Sequence, residues 1–175
     1  LVGSEMCIRD SYGFAQGDIG KAMTTFSETR SALRAVIGYD DESEINSEKK
    51  NYETKKKAFE GFMQDIESKM MTKAGKEAYQ QAESALNGYW TKADAILQQG
   101  STTDKIASSA AQNKEIDELG PMYDEIYASL KNIMDIKVAK GNSVQGTLNV
   151  VKYILIILTV LIIVFSCLLY TSDAA

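Results

Sequence analysis

Apolar residues recur along the chain at alternating steps of three and four, the spacing of helices that pack side by side. In a first segment, about 12–37, Ile19, Ala22, Phe26, Leu33 and Val36 share a face, and Thr29 fills the layer between them. A second, about 43–71, has the cleanest repeat: Ile45, Tyr52, Phe59 and Ile66 stand seven apart, with Phe62, Met63 and Met70 broadening the stripe. A third, about 76–99, presents Tyr79, Ala82, Leu86, Tyr89, Ala93 and Ile96, with Trp90 beside them. A fourth starts near Thr103 with Ile106, Ala110, Ile116, Leu119, Met122, Ile126, Leu130 and Ile133, and continues through Ile136 and Val138. Methionine and aromatic stripes at this spacing are core.

The breaks between the stripes are short. Gly38 ends the first helix, and Tyr39-Asp40-Asp41-Glu42 makes a polar turn whose acids suit the positive N-terminal end of the second helix. A tight turn falls at about 72–75, Gly100 stops the third helix, and Ser101, Thr102 or Thr103 caps the fourth. Gly120-Pro121 predicts a kink or local break at the preceding turn. The reading is all-α: an antiparallel up-down four-helix bundle over 12–148, with its turns at 38–43 and 100–103 on one end and the Thr72 turn on the other.

The fourth helix then runs into Tyr153–Ser166, YILIILTVLIIVFS, which carries no charge. It reads as a transmembrane helix over 149–166, cut short, because crossing a bilayer takes about 20 apolar residues. The cut has a source in the termini. The codons GAG ATG TGT ATA AGA GAC encode Glu5–Asp10, and the complementary strand read in another frame encodes Cys167–Ser172, CLLYTS. Residues 1–11 and 167–175 therefore resemble translated sequencing adapters and are expected to be non-native. A first transmembrane helix is expected before Tyr12.

Charge and composition narrow the function. The chain holds 19 basic and 24 acidic residues, and its Lys49–Lys50 and Lys55–Lys57 clusters are flanked by acids, so no basic face for nucleic acid is expected. Histidine is absent, and Cys7 and Cys167 both lie in the terminal segments. Ser-His-Asp and Cys-His catalysis and ordinary zinc sites lack their parts. No enzyme activity, metal or cofactor is expected.

Several features together resemble a family. They are the first-helix stretch Glu28-Thr29-Arg30-Ser31-Ala32-Leu33-Arg34-Ala35-Val36, the acidic turn, Tyr89-Trp90, and a fourth helix entering an apolar span. Residues 12–166 resemble the sensor domain of bacterial methyl-accepting chemotaxis proteins followed by their second transmembrane helix. That resemblance implies a periplasmic or extracellular sensor on the bacterial inner membrane, a homodimer through the first and fourth helices, and a small-molecule ligand. It also implies output by displacement of the fourth helix, with cytoplasmic kinase-coupling partners reached only through a region beyond the span. The alternatives are the sensor of a histidine kinase or diguanylate cyclase receptor, and a membrane-anchored structural coiled coil.

Arg30 and Arg34 are the leading candidates for a ligand site. Four residues apart, they share a helix face offset from the apolar stripe, where two guanidinium forks can clamp a carboxylate. In the aspartate- and serine-type relatives, first-helix arginines do this across the dimer interface. The competing expectation pairs them with Glu28 or with acids of a neighbouring helix. Bundle depth adds Tyr52, Trp90 and the stretch Ser109–Gln112 at the same level, a set suited to a small anion.

Overall fold

The computed structural model describes residues 15–172, and side chains from 17 to 167. Its order is α1 (Ala15–Gly38), α2 (Glu42–Ser68), α3 (Lys73–Gly100), α4 (Lys105–Lys114), a π-helical turn (Glu115–Leu119) and α5 (Gly120–Ser172). No strand occurs among the described residues. Because α4, the π turn and α5 follow without a break, they form one fourth arm. A first unit, the bundle, reaches Val138, and Ala139 opens a second.

Short polar side chains start the arms by answering amides that a helix leaves unpaired. Asp41 accepts from the Ser43 and Glu44 N–H groups, and Thr72 from that of Gly75. Thr72 thus caps α3, which begins at Lys73, earlier than the apolar pattern marks it. The fourth arm is capped by Asp104, not by Ser101, Thr102 or Thr103. Its carboxylate accepts from Ile106 and Ala107, while the Thr102 hydroxyl accepts from the Asp104 N–H.

The first three stripes are buried as their spacing predicts, Thr29 included, except that Phe62 is only partly buried. At the middle of the bundle they meet in an aromatic block around Phe26. Its ring centroid lies 5.2 Å from Phe59, 5.0 Å from Tyr89, 5.8 Å from Trp90 and 5.0 Å from Tyr123.

The fourth stripe differs from its expectation in its first half. Ile106 and Ile116 are 83% and 60% exposed, and the inward places belong to Ser108, Ala111 and Glu115. Leu119, Ile126, Leu130 and Ile133 are buried as expected. The change of face coincides with the π turn, where the Gly120 N–H bonds to the Glu115 carbonyl, five residues back. Pro121 explains why the widening sits here. Its ring lacks a donor for the carbonyl four residues earlier and would clash with it in a regular α-helix.

Gly100, the last residue of α3, is required by packing. No described glycine has a positive φ. A Cβ on Gly100 would stand 2.5 Å from Ile37 Cγ2 and 2.7 Å from the Ala111 Cβ, where α1, α3 and α4 converge. Gly100→Ala should therefore destabilise the bundle by about 1–3 kcal/mol, the range for overpacking a filled site. The measurement is a lower urea midpoint at an unchanged slope.

At the opposite end of the bundle, the Lys137 ammonium donates to the Lys69 carbonyl just past α2, and Lys69 pairs with Asp18 of α1 at 2.5 Å. Burial, with the Lys69 charge, holds the Lys137 pKa below its ordinary value.

The second unit is the remainder of α5. Its large apolar residues from Val150 to Phe165 are exposed. Among the described residues this arm is the one helix long and apolar enough to cross a membrane. The segment read as a non-native N-terminus, 1–11, lies outside the described residues, as do the side chains of 168–175.

Candidate ligand-binding site

Arg30 and Arg34 stand one turn apart on α1 and converge on a single carboxylate. Arg30 Nε donates to Glu115 Oε1 at 2.7 Å, and Arg34 Nε lies 2.8 Å from Glu115 Oε2. Each oxygen of the carboxylate therefore has its own guanidinium. The acid is almost fully enclosed at 2% exposure, Arg30 is largely buried at 15%, and Arg34 is half in water at 52%. Burying an ionised carboxylate is costly unless its charge and lone pairs are answered, and two guanidinium donors answer them.

The π turn and the aromatic block position this trio. Glu115 is the first residue of the π turn. The Arg30 guanidinium lies 4.4 Å over the Tyr123 ring, a cation–π contact. The Tyr123 and Ser27 hydroxyls are 2.5 Å apart. Tyr89 is buried beside the cluster. Burial pushes its pKa well above the ordinary value, the Arg30 charge opposes the rise, and Glu115 adds to it.

On its open side the cluster borders a hollow of about 340 Å³ lined by Arg34, Ile37, Gly38, Gln112, Glu115 and Ile116. Gln112 Nε2 donates to the Ile37 carbonyl at 2.9 Å and to Ser108 Oγ at 3.1 Å. Ser108 Oγ itself donates to the same carbonyl at 2.5 Å. The end of α1 is thus tied to α4 by side chains in place of water. What the hollow offers a ligand is one half-exposed guanidinium fork beside an amide, with apolar Ile37 and Ile116 as walls.

The six residues expected at one level fall into separate places. Arg30, Arg34 and Gln112 meet along the seam of α1 with the fourth arm. Exposed Ser109 lines an adjoining hollow with Gln112, Tyr39 and Lys105. Tyr52 and Trp90 belong to the seam of α2 with α3. The Tyr52 hydroxyl donates to Asp94 Oδ1 at 3.3 Å, and Lys56 reaches both Asp94 and the Trp90 ring, 4.9 Å from its centroid. Glu28, an expected partner for the arginines, pairs with Lys55 at 2.7 Å. A larger hollow of about 490 Å³, lined by Met70, Met71, Lys76 and Tyr79 among others, contains none of the six. Among the described residues no three His, Cys, Asp or Glu side chains gather to hold a metal ion.

Glu115 itself was missed by the pattern, although a signal for it exists. Stepping back four from Leu119, and four again, lands on Glu115 and Ala111, both buried. The adjacent Ile116 offered an apolar choice that hid the acid.

Comparison with known proteins agrees with the bundle. The family model of the four-helix-bundle sensory module for signal transduction matches residues 16–151, from the start of α1 into α5. No curated protein and no solved structure matches the chain. With the matched span covering most of the chain, and an all-helical bundle of four arms beneath it, the protein belongs to the four-helix-bundle sensory modules for signal transduction, the type found in chemoreceptors.

Proposed function

We propose that this module works as the extracytoplasmic sensor of a transmembrane chemoreceptor, binding a small anion at the Arg34 side of the cluster. The observation that carries this reading is Glu115 held between two arginines of α1, with the outer guanidinium half exposed to a hollow. A ligand carboxylate entering beside Gln112 competes with Glu115 for Arg34. Because Glu115 belongs to the fourth arm, that competition acts on the helix that continues as α5. The reading has a small displacement of this arm pass along the chain to the apolar segment, and from there to kinase-coupling partners beyond the span.

Two copies pairing through α1 and the fourth arm fit the same reading. Gly17, Gly20 and Gly38 of α1 have open space where a Cβ would stand, and Ile116 and Tyr127 of the fourth arm are exposed. The resemblance to methyl-accepting chemotaxis proteins supports the bacterial inner membrane as the one this receptor occupies.

Calorimetric titration of the full chain in lipid nanodiscs with acetate, L-aspartate, malate and benzoate tests the binding site. At least one should bind, and Arg34→Ala should weaken it at least tenfold. No heat from any of the four, or equal binding by the variant, defeats the proposal.

A further inference from the structure

The seam of α2 with α3 carries another hollow, of about 270 Å³, that the anion site does not use. These two helices approach each other less closely than α1 and α2 do. Bulky side chains floor the gap: Phe59 and Met63 of α2, and Tyr79 and Leu86 of α3, are all buried. Partly buried Trp90 joins this apolar lining, its ring 5.8 Å from that of Phe59.

Acids edge the floor from both helices. Glu60 and Glu67 of α2 and Glu83 of α3 line the hollow and are exposed. Elsewhere in the bundle, acids at the seams are answered by lysines: Glu28 by Lys55, Asp94 by Lys56 and Glu118 by Lys92. Here, among the described residues, none of the three carboxylates has an ion pair or a side-chain hydrogen bond, and no lysine or arginine lines the hollow. Lys56 lies over the Trp90 ring but is held by Asp94, and Lys76 lines the next hollow.

Tyr79 makes this more than a solvated acidic face. It is 5% exposed, yet its hydroxyl has no hydrogen-bond partner among the described residues, and it lines both this hollow and the larger one beside it. A buried phenol normally finds a partner. Burial, and then the charges of Glu67 and Glu83, push its pKa up to about 12. Both carboxylates thus act on the hydroxyl while neither bonds to it. At neutral pH the group stays a phenol, whose oxygen can accept from an N–H donor.

A bare metal ion does not suit this arrangement. Among the described residues no three acids gather closely enough to chelate one, and the floor is apolar. An ammonium ion on an apolar body does suit it. Carboxylates and the phenol oxygen accept its N–H groups, while aromatic faces attract the charge and cover the body. The volume lies just below the roughly 300–1,000 Å³ of sites for drug-sized ligands, which keeps the ligand small.

We propose that this hollow binds a small arylalkylamine, its ammonium between Glu67, Glu83 and the Tyr79 oxygen and its ring against Phe59, Met63 and Trp90. The site is separate from the arginine cluster and opposite to it in the charge it selects.

Trp90 is the only tryptophan of the chain and reports on the site directly. The full chain, in nanodiscs of zwitterionic lipid and tryptophan-free scaffold protein, is titrated with 2-phenylethylamine while Trp90 emission is followed. The emission should change saturably, with half the effect below about 1 mM. Tyr79→Phe, which keeps the ring and removes the hydroxyl, should weaken binding at least threefold. Glu67→Gln/Glu83→Gln, at exposed positions, should weaken it at least tenfold. Phenylacetamide, which keeps the aromatic ring without the charge, should give no saturable change. No saturable response to 2-phenylethylamine, an equal response to phenylacetamide or to magnesium ion, or unchanged binding in either variant overturns the proposal.

Discussion

Phe26→Ala should cost about 3–5 kcal/mol, the range for emptying a buried aromatic site. Phe26 is fully enclosed and touches rings from every other arm: Phe59 of α2, Tyr89 and Trp90 of α3, and Tyr123 of α5. The neighbours are large and mutually braced, so they can collapse little into the space left behind. Ring pairs of this geometry add roughly 0.5–1.5 kcal/mol each beyond area burial, and four are lost together. Phe62→Ala is the internal comparison, because Phe62 is only partly buried and lies at the edge of the core. Urea unfolding followed by circular dichroism should show the Phe26 loss well above the Phe62 loss. Equal losses would mean that the aromatic block is not the centre of the core.

Most of the bundle was legible because its first three arms obey one rule at a time. Ile45, Tyr52, Phe59 and Ile66 repeat every seven residues, and all four are buried. Nothing polar competes for those places, so periodicity alone suffices. The fourth arm breaks this condition. Pro121 forces a wide turn beside two neighbours that both suit the spacing, and Ser108, Ala111 and Glu115 take the places that the apolar pattern assigns to Ile106 and Ile116. Periodicity cannot choose between Glu115 and Ile116, because the arginines that decide it lie in another arm. Gly100 teaches the same lesson. As a helix stop it was visible, but its contacts with Ile37 and Ala111 exist only once three arms converge.

The site was legible from one side. Arg30 and Arg34 stood out as a pair of charges at helical spacing, whereas the acid they share lies 85 positions after Arg30. Depth along the bundle placed Tyr52 and Trp90 at a similar level, yet level alone does not specify a seam. Asp94 and Lys56 hold those two on the α2–α3 side. A rule that ranks acids as exposed will pass over any carboxylate whose counter-charges lie far away in sequence.

Arg30→Ala should destabilise the bundle far more than Arg34→Ala, although both remove one guanidinium from the same carboxylate. Removing one partner of a buried pair leaves an uncompensated charge and costs about 3–5 kcal/mol. Arg30 meets that condition, being 15% exposed against a carboxylate at 2%, and its loss also strips the cation from the Tyr123 face. Arg34 is 52% exposed, so water screens its pairing, and its removal should cost only about 1 kcal/mol. Replacing the acid as well separates pairing from packing. In Arg30→Ala/Glu115→Gln the stranded charge is gone, and the double variant should regain much of the stability lost by Arg30→Ala alone. Urea midpoints across this cycle give the coupling directly. Additive losses, or an Arg34→Ala loss as large as that of Arg30→Ala, would show that Glu115 does not depend on Arg30 for its place in the core.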